Sequence, residues 1–69
     1  MPLALYQPGV EIPIKKIGGR DELRKRLEKM GFTAGSLVTV LSRLEGSLIV
    51  KIRDSRVAIS EEMALKILV

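Results

Sequence analysis

Four carboxylates stand in two adjacent pairs, Asp21-Glu22 and Glu61-Glu62, in a chain of 69 residues that carries twelve lysines and arginines but no histidine and no cysteine. Without imidazole or thiol, the usual activated nucleophile pairs cannot be assembled. Nor can the nitrogen and sulfur ligand sets that hold zinc or ferrous iron. The acid pairs are what remains for a hard metal ion or for acid–base work. Each pair, however, opens a helical pattern, where neighbouring side chains point about 100° apart and do not converge on one ion. Acids in a first turn complement the helix dipole instead. We therefore read both pairs as structural, and expect a non-enzymatic chain with no catalytic residue, no metal site and no cofactor.

The cations point outward, toward partners. Twelve Lys plus Arg against eight Asp plus Glu leave a net charge of +4, which favours an acidic partner: nucleic acid, an anionic membrane surface or an acidic protein face. One nucleic-acid reading is a small basic barrel binding RNA or DNA through Lys15, Lys16, Arg24, Arg53 and Arg56. Against it, the positive charges are interleaved with acids, and Tyr6 and Phe32 are the only aromatics available for base stacking. Gly18-Gly19 precedes a helix but lacks the Lys-Ser/Thr of a phosphate loop. The apolar amino terminus has no basic leader and is broken by Pro8, so no signal peptide is expected. No apolar run approaches the ~18 residues of a spanning helix. A single domain over 1–69, in the cytoplasm, is the expectation.

These side chains need elements to hold them. VEIPIKKI alternates, with Val10, Ile12 and Ile14 on one side, and reads as a half-buried strand; Pro13 cannot donate to a ladder and makes it an edge. From Arg20 to Met30 the period changes. Leu23, Leu27 and Met30 fall at i, i+4 and i+7 and form one narrow apolar stripe, while Glu22 to Arg26 and Asp21 to Lys25 are set for ion pairs. Gly31 reads as the left-handed stop, with Phe32 folding back onto the helix end. Gly35 lies in the turn Thr33–Ser36. After it, LVTVLSR (with Val38 and Val40 inward), SLIVKIR and RVAIS read as three strands of a meander. Ser60 is the expected N-cap of a short helical turn, and Ile67-Leu68-Val69 the closing strand. The fold class is mainly β: a small antiparallel β-barrel, whose closure would remove exposed edges, with one inserted helix as a lid and a short C-terminal helical turn.

The string LRKRLEKMGFTAGSLVTVL resembles the signature of the ferrous iron transport protein A (FeoA) family, L-R-x-R-L-x-E-M-G-[LF]-x-P-G-x-x-V-x-V. Leu23, Arg24, Arg26, Leu27, Met30, Gly31, Phe32, Gly35, Val38 and Val40 match it. Lys29 stands where the family usually has an acid, Ala34 where it has proline, and Ser60 where an arginine is common. The resemblance implies an SH3-like barrel acting in the cytoplasm as an accessory of the FeoB-type ferrous iron permease. There it would bind the permease's cytoplasmic GTP-binding or membrane part and modulate transport or GTP hydrolysis, being recruited to the inner face of the membrane by that contact. On this reading Arg24, Arg26 and Lys29, on the polar flanks of the helix, are the partner-binding residues, and Leu23, Leu27, Met30, Gly31, Phe32, Gly35, Val38 and Val40 are core or structural.

Overall fold

The computed structural model describes all 69 residues. In chain order the elements are a 3-10 turn Leu3–Leu5, strands β1 (Glu11–Pro13) and β2 (Lys16–Ile17), helix α1 (Asp21–Lys29), strands β3 (Leu37–Leu44), β4 (Ser47–Ile52) and β5 (Ser55–Ser60), helix α2 (Glu61–Lys66) and strand β6 (Ile67–Leu68). Alternation builds the main sheet, which is antiparallel in the order β1-β3-β4-β5. Val38, Val40, Leu48, Val50, Ile52 and Ile59 line its buried face, covered by Leu27, Phe32, Leu3, Ile14, Ile17, Ala64, Ile67 and Val69. A second, two-stranded sheet pairs β2 with β6, and the chain ends meet beside it, Met1 and Val69 exchanging hydrogen bonds of 2.7 and 2.8 Å.

Two expectations are corrected. VEIPIKKI is two strands, not one, and Val10 lies outside both and is exposed. Pro13, with no N–H, ends the ladder with β3. Ile14 then donates to Ser36 O at 2.9 Å, and Lys15 turns away to donate to Leu68 O at 2.7 Å. The two halves of the segment are thus claimed by different sheets. Nor do the strands close a continuous ring: β5 hands the chain to α2, whose N-cap Ser60 accepts from Met63 N at 3.1 Å, and the outer edge of β5 stays open.

Helix α1 lies within the expected bounds. Leu27 is fully buried, whereas Leu23 and Met30 are half-buried and pack on the core from its margin. The helix ends as a Schellman motif, Gly31 N donating to Glu28 O and Phe32 N to Leu27 O, each at 3.0 Å, and Phe32 is buried with Leu27 beneath that turn. Gly31 sits at φ 104° with the Arg53 side chain lying across it. Gly31→Ala finds room for its methyl but not for its backbone, and a left-handed non-glycine residue costs about 1–2 kcal/mol. Thermal unfolding followed by circular dichroism should show a loss of that size with the fold retained.

A β-bulge in β3 was not foreseen. Val40 pairs with Val50 but Ser42 with Ile49, leaving Leu41 as the extra residue. The slip changes which face each later residue takes, and Arg43 comes to stand opposite buried Leu48, on the core side of the sheet's rim. From there its guanidinium donates to Ala4 O at 3.1 and 2.9 Å and to Tyr6 O. Arg43 thereby ties the amino-terminal turn, with fully buried Leu3, to the sheet.

Candidate functional site

The break between β1 and β2 builds a groove. In one unbroken strand, Lys15 and Lys16 would point to opposite faces. The chain passes from one sheet to the other at Ile14 and Lys15, and both lysines line the same hollow, about 320 Å³, together with Ile17, Arg24 and Glu28 of α1, Thr33 and Ala34. Three cations face one acid. Arg24 is half-exposed and steadied within α1, where Asp21 and Glu28 (4.0 Å) hold its guanidinium from either side. These are the only side-chain ion pairs in the molecule, so the expected Glu22–Arg26 and Asp21–Lys25 pairs do not form. Such alternatives differ by only a few tenths of a kcal/mol, and sequence spacing cannot rank them. The ammonium groups of Lys15 and Lys16 have no acidic partner within 4.0 Å.

The groove draws together three of the five cations that the nucleic-acid reading had named, and separates Arg24 from the two that the family resemblance had set beside it. Lys15, Lys16 and Arg24 meet; Arg26 and Lys29 do not join them. Two residues apart on a helix means about 200°, so Arg24 and Arg26 occupy opposite flanks of the Leu27 stripe. Arg26 and Lys29 are exposed, without ion pairs. Arg53 and Arg56 belong to the β4–β5 hairpin. A larger hollow, about 430 Å³, lies between the start of α1 and α2, lined by Gly19, Arg20, Leu23, Glu62 and Lys66. With two cations to one acid, its lining is less positive than that of the groove, which has three to one.

The acid pairs behave as helix starts. Asp21 and Glu22 open α1, Glu61 and Glu62 open α2, and nowhere do three acidic side chains gather. Anaerobic calorimetric titration of the isolated chain with ferrous iron should therefore give only weak, unsaturable heats. A stoichiometric micromolar site would overturn this and point to carboxylates converging between copies.

The FeoA domain model matches residues 1–69. The chain belongs to the FeoA family. It is similar to a protein of Methanocaldococcus jannaschii named as an Fe(2+) transport protein A, with 35% identity over 99% of this chain and 83% of that one. The crystal structure of an iron uptake regulatory protein (FeoA) superposes with a TM-score of 0.88, at 28% identity, over 97% of this chain and 91% of that one. A zinc-complexed FeoA of Stenotrophomonas maltophilia, described as a prokaryotic SH3 domain protein, matches with a TM-score of 0.85 over 99% of this chain and 87% of that one, at 19% identity. That last likeness speaks to the fold, which is SH3-like, as the sequence led us to expect. FeoA membership places the chain in ferrous iron transport, as an accessory. No helix is long and apolar enough to cross a membrane.

Proposed function

We propose that this FeoA-family chain is a non-enzymatic regulator that docks on the cytoplasmic part of a FeoB-type ferrous iron permease, and that the basic groove is its docking surface. The observation that carries the reading is the convergence of Lys15, Lys16 and Arg24 around one hollow with a single acid. Such a surface receives a carboxylate-rich segment of a protein, with Arg24 already oriented and the two lysines free to follow it. Arg26 and Lys29, on the far flank, steer the encounter without entering the contact. Nucleic acid is the weaker occupant, because Phe32 is fully buried and Tyr6 half-buried, leaving no stacking platform. The chain on this reading works at the inner face of the membrane, brought there by the permease.

The test is binding of the purified chain to the purified GTP-binding domain of the permease, and separately to the detergent-solubilised whole permease, across a salt series. Association should be saturable with the whole permease and its rate should fall as salt rises, as for charge-steered encounters. Absence of association with either preparation at low salt would end the proposal.

A further inference from the structure

The main sheet ends on β5, and nothing pairs with its outer side. The two-residue loop Arg53-Asp54 makes Ile52 and Ser55 directly opposed partners, and the pair closing such a hairpin exchanges both of its hydrogen bonds. Bonded pairs then alternate along the ladder, so Ser55, Val57 and Ile59 turn their backbone groups to β4 while Arg56 and Ala58 turn theirs outward. Neither Arg56 nor Ala58 uses its N–H or C=O in any hydrogen bond beyond the sheet, and both are exposed. Two donors and two acceptors are thus presented at the spacing of an extended chain.

The charges beside that edge are unbalanced. Lys51 stands directly opposite Arg56, in the closer, non-bonded kind of pair, and like charges so placed repel. Neither has an acid within 4.0 Å; Arg53, held at φ 54° in the loop, turns its side chain across Gly31 and does not join them. A charge on an outer strand is a familiar guard against self-pairing, and Arg56 could serve as one. Lys51 cannot, being one strand inside. Its placement beside Arg56 leaves an anion-attracting spot on the solvent face next to an unsatisfied backbone edge.

We propose that the outer edge of β5 is a docking site for an extended acidic polypeptide segment, which adds as a fifth strand on the Arg56 and Ala58 backbone and sets a carboxylate against the Arg56 side chain, with Lys51 behind it. Strand addition takes its affinity from the main chain and its selectivity from alternate side chains. A backbone satisfies donors and acceptors together, whereas a phosphate chain would satisfy only donors. The site shares no residue with the basic groove and stands independently of it.

The experiment uses the full chain and three probes: an eight-residue blocked peptide alternating glutamate and valine, the same peptide with lysine for glutamate, and a mixed single-stranded oligonucleotide. Backbone amide exchange is followed by NMR. The acidic peptide should bind saturably and slow exchange at Arg56 and Ala58 at least tenfold. Arg56→Glu should weaken it at least tenfold. Ala58→Pro should do the same with the ladder intact, because it removes an outward N–H; if that variant does not fold, the exchange pattern and Arg56→Glu decide. Equal binding of the lysine peptide would overturn the proposal. So would protection confined to the groove, protection of these amides by the oligonucleotide alone, or concentration-dependent protection in the unliganded chain, which would make a second copy the occupant.

Discussion

Replacing Leu27 by aspartate should leave a chain with no cooperative unfolding transition at 37 °C. Leu27 has 0% of its surface exposed, and its carbonyl receives Phe32 N–H at the turn that ends α1. A domain of this size has roughly 3–10 kcal/mol of stability, at about 0.05–0.15 kcal/mol per residue. Truncating a buried leucine to alanine alone costs about 2–5 kcal/mol. Aspartate adds the desolvation of a carboxylate with no buried cation to meet it, since the core contains no polar or charged residue. Leu27→Ala should therefore fold at low temperature with a much lowered midpoint, and Leu27→Asp should not. Circular dichroism and scanning calorimetry distinguish them. A cooperative transition in Leu27→Asp would mean that α1 can leave the sheet without unfolding it.

The second large effect belongs to the groove. Lys15→Glu with Lys16→Glu should preserve the fold and lower affinity for the permease at least tenfold, about 1.4 kcal/mol or more, with the loss concentrated in the association rate at low salt. Both lysines are exposed and free of ion pairs, so reversing them breaks nothing inside the molecule. Arg24 is a poorer position to reverse. A glutamate there would face Asp21 and Glu28 and weaken α1 itself by like-charge repulsion, confounding binding with folding. Arg26→Glu is the matching control: it alters the opposite flank and should change affinity little. If Arg26→Glu abolishes binding and the lysine pair does not, the far flank of α1 is the contact and the groove is not.

Most of the order of elements was legible in the residues because the signals are short-ranged. The stripe of Leu23, Leu27 and Met30, the Gly31-Phe32 stop and the Ser60 cap each involve contacts within one or two turns of chain. The structure places α1, its C-cap and α2 where those signals put them. Alternation likewise located β3, β4 and β5 to within a residue or two, since the period-2 pattern is written by burial on one face. The FeoA motif extended this to the family and the SH3-like fold.

Tertiary competition decided the rest. Alternation through VEIPIKKI is equally compatible with one strand or two, and the chain breaks at Ile14 only because Ser36 and Leu68, distant in sequence, offer hydrogen bonds to consecutive residues. That break turns Lys15 and Lys16 into one groove with Arg24. The bulge at Leu41 depends on how β3 meets β4, and it alone brings Arg43 over the carbonyls of Ala4 and Tyr6. Spacing along a helix states which charges can meet but not which do, so Arg24 rather than Arg26 carries the ion pairs. The open edge of β5 has the same origin. Six residues of α2, capped by Ser60, turn the chain away before β6 can pair there, because a buried Ala64 face and a satisfied helix start hold that turn against the sheet. Local residue types could specify the strand and the helix, but only their packing could leave that edge uncovered.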